Sequence, residues 1–356
     1  ALAPGMGLNA FFAFTVVLGM GYPWQLALTA VFLEGIVFIL MSLFNIREAI
    51  IKSIPANIKR AVSVGIGLFI AFIGLQNAGI VVNNDATLVG LGSMGDGKVL
   101  VALIGLVLTG VLLAFKVKGA LLIGIVATTL IGIPFGVTSI PKGWTPFKLP
   151  DAPLFFQFQF DKVLTLDFFI VFFTFLFVDI FDTIGTLVGV TTQAGLINKN
   201  GEIPRVKQAL LSDAVGTVAG AALGTSTVTS YIESASGVAD GGRTGLTAVT
   251  TSVLFGLALL FSPLFLLVPG AATAPALILV GLFMLSPVKD IDLSDFTEAI
   301  PAFITMLFMP LTYSIAEGLV FGILSYIFLK AITGKIKEIS VVTWVVGAFF
   351  VLKHIL

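Results

Sequence analysis

Residues 172–196, FFTFLFVDIFDTIGTLVGVTTQAGL, carry two aspartates, Asp179 and Asp182, in the middle of a run of phenylalanine, leucine and valine. The two aspartates are three positions apart, so in a helix they share one face. In a soluble protein that face could turn toward water. What the two carboxylates do therefore depends on the solvent of the whole chain.

The composition is that of a polytopic membrane protein. The 356 residues are 58% hydrophobic and 11% charged, with a mean hydropathy of +1.12, whereas soluble domains carry about 25% charged residues. Apolar stretches of roughly 17–25 residues, long enough to cross a bilayer, recur along the chain. They are predicted near residues 5–21, 23–44, 61–82, 98–115, 119–138, 167–192, 207–223, 232–241, 244–268, 272–288, 298–313 and 315–333. A last apolar stretch, 340–355, either crosses the membrane or lies on its surface.

Several kinds of chemistry are excluded by residue counts. The chain has no cysteine, which excludes disulfides, thiolate catalysis and cysteine metal sites. Its one histidine, His354, is close to the end of the sequence, so neither a histidine relay nor a histidine metal cluster is expected. The net charge is zero, which gives no sign of a nucleic-acid partner.

Two segments, 4–14 and 224–238, begin with small or polar residues that are poor helix formers. Non-helical backbone at membrane depth is tolerated only where protein or a cavity surrounds it, and two such segments in corresponding places indicate an inverted-repeat transporter. The alternation of hydroxyl and β-branched residues from Ser226 to Tyr231 favours a short strand. Glu233 would follow at the start of a half-helix, and Asn9 is a polar candidate in the first segment.

Three carboxylates, Asp179, Asp182 and Glu233, are predicted at membrane depth. A charge there costs at least about 2.5–3.5 kcal/mol, so each should face a cavity or a partner. The helix at 167–192 has no Lys or Arg, which favours carboxylates that take up and release a proton. The alternative is a neutral, hydrogen-bonded aspartate that helps helices pack.

Other polar positions have structural interpretations. Glu34 is expected to form a structural hydrogen bond, and Asp213 is expected to fix the adjacent strand. The basic, amphipathic segment 47–61 is predicted to be a helix on the cytoplasmic surface.

Three motifs resemble one family of transporters. They are ALAPGMGLNAFFAF at 1–14, FVDIFDTIGTLVGV at 177–190 and GTSTVTSYIESASGVADGGRTGL at 224–246. Together they resemble the adenine/guanine/hypoxanthine permease branch of the nucleobase transporters, relatives of the xanthine and uracil permeases. The resemblance implies an all-α membrane fold of fourteen segments in two inverted repeats of seven, with two short strand and half-helix segments. It starts at the third segment, so the first two are expected to be absent.

The resemblance also implies a division into two domains, with the core moving against the gate like an elevator. The core would comprise 1–44 and 167–270, the second of which holds the substrate site. The gate would comprise 45–166 and 271–334, followed by a C-terminal apolar segment at 335–356.

Site residues follow from the motifs. In DTIGTL, Asp182 corresponds to the acidic residue that contacts the base, Thr186 stands where uracil-type relatives have histidine, and Asp179 is the rival for the acidic role. In SYIES, Glu233 would hydrogen-bond the base. The remaining substrate-binding candidates are Tyr231, Ser234, Asn9, Phe11 and Phe12, the last two for stacking.

The sequence therefore predicts a multi-pass inner-membrane transporter, not an enzyme, that imports guanine, hypoxanthine or adenine with protons and without a cofactor or metal. The candidate proton-binding groups are Asp182, Glu233 and Asp179. A homodimer through the gate domain is a further expectation, and the preferred purine and the choice between proton and sodium stay open. An anion transporter of the same fold is the main alternative, although Glu233 disfavours it. An intramembrane aspartyl protease is a remote one, because SMGDG at 93–97 lies in a loop.

Overall fold

The computed structural model describes residues 1–5, 8–9, 11–197 and 203–355. A π-helix at Phe11–Gly19 precedes the α-helices. The α-helices in chain order are α1 Trp24–Leu43, α2 Ile46–Ser53, α3 Ala56–Asn77, α4 Gly97–Ala114, α5 Ala120–Ile131, α6 Leu166–Gln193, α7 Val206–Leu223, α8 Ser234–Ala239, α9 Gly245–Leu260, α10 Ser262–Phe265, α11 Gly270–Phe283, α12 Phe296–Leu311, α13 Ile315–Ile332 and α14 Val341–Ile355. Short 3₁₀ helices cover Ser286–Asp290 and Ile336–Glu338.

Six stretches in the described part of the chain are long and apolar enough to cross a membrane. They are Trp24–Leu43, Ala56–Asn77, Gly97–Ala114, Phe168–Gln193, Gly270–Asp290 and Ile315–Ile332. Four shorter apolar helices accompany them. None of the residues of α9 is buried although most are apolar, which is the pattern of a helix that faces lipid. The predicted polytopic membrane architecture is confirmed at this level.

Two small antiparallel sheets interrupt the helices. Strand β1, Leu2–Pro4, pairs with β4, Val228–Ser230, so that Ala3 lies opposite Thr229. Strands β2, Val81–Asn84, and β3, Leu88–Leu91, form a hairpin. The sequence predicts a strand near 226–231 but not the hairpin, most of whose residues, 83–91, lie between the predicted spans 61–82 and 98–115.

The described chain forms two compact units. The first contains Ala1–Ile66, Ala152–Ser234 and Ser286–Leu356, and the second contains Gly67–Asp151 and Ala235–Leu285. These units divide the chain at other positions than the predicted core and gate domains. The inverted repeat and the division into core and gate stay predictions.

Small residues set the helix packing inside each unit. In the first unit, a Cβ on Gly35 of α1 would lie 2.7 Å from a methyl of Val218 and 3.3 Å from one of Thr217, both on α7. In the second unit, a Cβ on Gly67 of α3 would lie 2.6 Å from the carbonyl oxygen of Gly281 on α11. Glycine at these contacts lets the helix backbones approach closely, as membrane helices require.

Candidate functional site

The paired strands β1 and β4 form the frame of the candidate site. The pairing continues beyond the strands, since Gly5 N–H donates to the Thr227 carbonyl at 3.1 Å and Tyr231 N–H donates to the Ala1 carbonyl at 2.9 Å. Two segments far apart in sequence are thereby held side by side. The predicted extended conformation near 226–231 is confirmed, and the first strand lies at Leu2–Pro4, ahead of the glycine-rich stretch.

Asp213 on α7 fixes strand β4. Its Oδ1 accepts hydrogen bonds from the Ser230 N–H at 2.8 Å and the Ser230 hydroxyl at 3.2 Å, and the Thr229 hydroxyl lies 3.4 Å away. The Thr217 hydroxyl of the same helix donates to the Val228 carbonyl at 2.6 Å. Because a two-stranded sheet is marginal alone, these bonds stabilise its position. The structural role predicted for Asp213 is confirmed.

The position of Arg47 differs from two expectations drawn from the sequence. It is completely buried, whereas segment 47–61 was expected on the surface. Its guanidinium pairs with Asp213 Oδ2 at 3.0 Å, donates to the Leu210 carbonyl at 3.2 Å and lies 4.2 Å from the ring centre of Phe38. A cation therefore does reach the carboxylates of the candidate site, although none belongs to α6. It comes from the N-terminal turn of α2.

The two aspartates of α6 have different surroundings. Asp179 is fully buried, and its Oδ1 accepts a hydrogen bond from Thr183 at 3.1 Å. The same hydroxyl lies 2.6 Å from the Thr229 hydroxyl of β4, so α6 contacts the strand directly. Asp182 is only partly buried and lies near Asp213 and Glu233. Of the two aspartates, Asp182 is thus the one in electrostatic contact with Glu233.

Glu233 follows β4 at the predicted start of the half-helix α8. It is partly buried and interacts with the side chain of Tyr231. The Ser234 N–H donates to the Tyr231 carbonyl at 3.1 Å, which begins the first turn of α8. The carboxyls of Asp182 and Glu233 therefore interact electrostatically although they belong to two separate elements.

The candidates of the first motif lie on the N-terminal side of the same unit. Asn9 contacts the hydroxyl of Ser226 through its side-chain oxygen. Phe11 meets Phe175 of α6 edge to face with ring centres 4.8 Å apart, and Phe12 lies 6.2 Å from the same ring. Both rings are partly buried and pack against the hydrophobic cluster that includes Phe175, one helical turn before Asp179.

Thr186 is buried on α6, one turn beyond Asp182. Arg47, Glu34 and Thr183 are further polar residues near these groups, and the sequence did not indicate them as part of the site. The sequence does not indicate that Arg47 belongs to the site, because its partner Asp213 is 166 positions away. A carboxylate in the middle of an apolar helix was a signal for Glu34, but its surroundings follow only from the fold.

The chain is similar in sequence to known permeases over its whole length. The model of the xanthine/uracil permease family, described as Permease family, matches residues 1–321. A putative permease of Methanocaldococcus jannaschii is 50% identical over 355 residues, covering 100% of this chain and 81% of that protein. The guanine/hypoxanthine permease PbuG of Bacillus subtilis is 47% identical, with 100% and 81% covered. The adenine permease AdeQ of Escherichia coli is 45% identical, with 100% and 80% covered.

Solved structures of transporters have the same fold at low sequence identity. The transmembrane domain of the cyanobacterial bicarbonate transporter BicA matches with a TM-score of 0.56 and 15% identity, covering 88% of this chain and 80% of that domain. SLC26A9 matches with a TM-score of 0.53 and 13% identity, covering 90% of this chain and 55% of that protein. At this identity the likeness establishes the fold and no shared substrate.

Proposed function

Because the chain belongs to the nucleobase permease family, we propose that it imports purine nucleobases, with guanine, hypoxanthine or adenine as the substrate. Membership makes it a multi-pass transporter of the inner membrane and not an enzyme, which excludes the intramembrane protease. The choice of purines is supported by the printed names of its relatives, which are adenine permeases and guanine/hypoxanthine permeases.

The observation that carries the proposal is the electrostatic interaction of Asp182 with Glu233, which follows the strand β4 that is paired with the first motif. Purine rings and their amino groups present N–H donors along their edges, and carboxylates accept such bonds strongly. Asp182 and Glu233 would accept hydrogen bonds from these edges. Further contacts would come from Asn9, Tyr231, Ser234 and Thr186. Phe11 and Phe12 would cover a face of the ring, which fits their position beside Phe175.

Coupling to protons follows from the same carboxylates. A carboxylate at membrane depth is costly when charged, so proton uptake and substrate binding can stabilise one another there. Purine and proton would enter together, and loss of the proton inside would release the purine. The driving force is then the proton gradient, and neither a cofactor nor a metal takes part.

Transport would follow an elevator mechanism. The core domain would carry the bound purine across the membrane by moving against the gate domain, and two copies would associate through their gates. The matched folds support a transporter architecture of this class. The candidate groups all belong to segments of the predicted core, 1–44 and 167–270, and would move together with it.

The alternative cargo is an anion. The matched solved structures include a bicarbonate transporter and an anion transporter. Against this reading, two carboxylates beside one another would repel an anion, and the relatives of higher identity are named for purines.

Uptake of radiolabelled purines by cells that express the full-length protein tests the proposal. We expect saturable uptake of adenine, guanine or hypoxanthine that is lost in Asp182→Asn and in Glu233→Gln. Asp151→Asn is the matched control, because its carboxylate is 92% exposed. Uptake that persists in both site variants would refute the site, and uptake of sulfate or bicarbonate without purine uptake would refute the cargo.

A further inference from the structure

Glu34 on α1 is a fully buried carboxyl group to which the proposed mechanism gives no role. Neither of its oxygens accepts a hydrogen bond from any N–H or O–H group in the described part of the chain. A bare carboxylate in such a place would lose its hydration without compensation, which is among the costliest arrangements in a protein. Its surroundings therefore have to supply a donor.

The charged groups around Glu34 come from three other elements. Asp179 of α6, Arg47 of α2 and Asp213 of α7 all interact with it. Asp179 in turn faces Glu34, Asp213, Arg47 and Asp182. The cluster of Glu34, Asp179, Asp213 and Arg47 is completely buried and holds three carboxyl groups and one guanidinium.

Arg47 and Asp213 form a hydrogen-bonded ion pair, although the Nε of Arg47 has no partner among the described residues. Arg47 donates to Asp213 and to the Leu210 carbonyl, and both oxygens of Asp213 accept hydrogen bonds. The carboxyls of Glu34 and Asp179 then remain, and they interact with each other. Asp179 Oδ1 accepts from Thr183, whereas its Oδ2 has no partner among the described residues.

One bound proton resolves this arrangement. Placed between Asp179 Oδ2 and an oxygen of Glu34, it turns one carboxylate into a hydrogen-bond donor and removes one of two adjacent negative charges. Carboxyl pairs that cannot both ionise share a proton in this way. We propose that Glu34 and Asp179 form a buried proton-binding pair, separate from the substrate-contacting carboxyls Asp182 and Glu233.

A metal ion is a poorer occupant than a proton. No group of three or more His, Cys, Asp or Glu side chains within the described ranges could hold one. The guanidinium of Arg47 is also part of the cluster and would repel a further cation. A carboxyl that accepts a proton needs no ligand shell, so two facing oxygens suffice.

Thr183 connects this pair to strand β4. Its single hydroxyl proton can go to Asp179 at 3.1 Å, to Asp213 at 3.2 Å or to Thr229 at 2.6 Å. A proton on Asp179 weakens that carboxyl as an acceptor, so Thr183 turns toward Asp213 and Thr229. Protonation of the pair thereby changes the hydrogen bonds that hold β4, the strand that leads to Tyr231 and Glu233.

Infrared spectroscopy of the purified full-length protein in lipid tests proton binding without transport. A protonated carboxyl has a carbonyl stretching band that ionised carboxylates lack and that shifts in deuterated water. We expect this band in the wild type at neutral pH, its loss in Glu34→Gln and in Asp179→Asn, and its retention in Asp151→Asn. Should Glu34→Gln fail to fold, we expect the band to be retained in Glu34→Asp, which keeps a carboxyl, and to be lost in Asp179→Asn. An absent band, or one unchanged in these variants, overturns the proposal.

Coupling of this proton to transport rests on the proposed function and is tested separately. Wild-type uptake should fall with rising external pH by up to about tenfold per pH unit, the limit for one proton. In Glu34→Gln, whose amide stays neutral, this dependence should become shallower, because Asp182 and Glu233 are then the remaining proton-binding candidates, while Asp151→Asn keeps the full dependence. A lost infrared band with unchanged pH dependence would refute the coupling alone. Absence of any purine uptake in the wild type would refute the proposed function and leave the infrared result standing.

Discussion

At the scale of single residues, the Arg47–Asp213 ion pair is the strongest local determinant of the site. Both side chains are fully buried, and the two atoms are 3.0 Å apart. Removing one partner of such a pair leaves a buried charge alone and typically costs about 3–5 kcal/mol. The pair also fixes Asp213, whose other oxygen holds Ser230.

We therefore predict that Arg47→Met lowers the free energy of unfolding by about 3–5 kcal/mol, measured by denaturant titration in mixed micelles. Lys148→Met is the matched control, since its partner Asp151 is exposed and such pairs contribute about 0–1 kcal/mol. Equal losses in the two variants would contradict the structural role of the buried pair.

A second ion pair lies outside the membrane-spanning helices and predicts a pH dependence. Asp295 accepts from Lys335 at 2.7 Å and caps α12 through the Thr297 N–H at 2.8 Å. Its side-chain hydrogen bonds, that to Lys335 foremost, hold the pKa of Asp295 well below its ordinary value of 3.8. The stabilisation is therefore complete above that ordinary value and is lost as the pH falls toward the lowered pKa.

Asp295→Asn should thus lower the melting temperature by a constant amount from neutral pH down to about pH 4. The difference from the wild type should shrink only below that pH. Asp151→Asn, whose carboxyl is exposed, should show no such pattern. A difference that already fades between pH 7 and pH 5 would contradict the lowered pKa of Asp295.

Single residues were predictable from the sequence where local chemistry was enough. Asp179, Asp182 and Glu233 stood out because charges are rare in apolar helices, and Asp213 preceded a small-residue stretch. Arg47 was wrongly assigned to the surface, because the basic segment 47–61 has the composition of a surface helix. Its burial depends on a partner on another helix, and no local pattern reveals that.

At the scale of elements, the pairing of β1 with β4 is the arrangement on which the site depends. A Cβ on Gly5 would lie 2.8 Å from Cγ2 of Thr229. That methyl belongs to a residue whose hydroxyl contacts Thr183, so the methyl and the hydroxyl can be changed independently.

Gly5→Ala alone should separate the strands and reduce purine uptake at low substrate concentration. The double variant Gly5→Ala/Thr229→Ser should restore it, because serine lacks the methyl and keeps the hydroxyl. Thr229→Ser alone is the control and should transport like the wild type. If purine uptake by the double variant is as low as that of Gly5→Ala, the close contact between residue 5 and the methyl of Thr229 is contradicted.

Elements were predictable where their period or composition was distinctive. The helices and the strand near 226–231 follow from apolar runs and from β-branched alternation. The π-helix at Phe11–Gly19 and the hairpin of β2 and β3 were not predicted. The first has the composition of an ordinary apolar helix, and the strands of the second are four residues each, too short for a clear period.

At the scale of the whole molecule, composition was enough to predict a polytopic membrane protein, and the motifs were enough to predict its family. Neither composition nor packing is enough to establish the division into core and gate. It concerns which elements move together, and packing within one conformation does not determine that. A measurement of motion is needed.

The absence of cysteine allows such a measurement directly. Spin labels on cysteines at Val215 of α7 and Val107 of α4, both exposed, would report the distance between the two predicted domains. An elevator predicts two distances whose populations shift when purine is added. The pair Val107 and Leu122, both in the predicted gate, should give one distance throughout. A single, substrate-independent distance for the first pair would contradict the elevator.

The central claim, purine import coupled to protons through Asp182 and Glu233, is tested most directly in liposomes that contain the purified full-length protein. An inward gradient of adenine, guanine or hypoxanthine should acidify the interior, as followed by a trapped pH-sensitive dye. Asp182→Asn and Glu233→Gln should abolish the acidification, and Asp151→Asn should retain it. Purine entry without acidification would contradict proton coupling, and acidification retained in both site variants would contradict the assignment of the site.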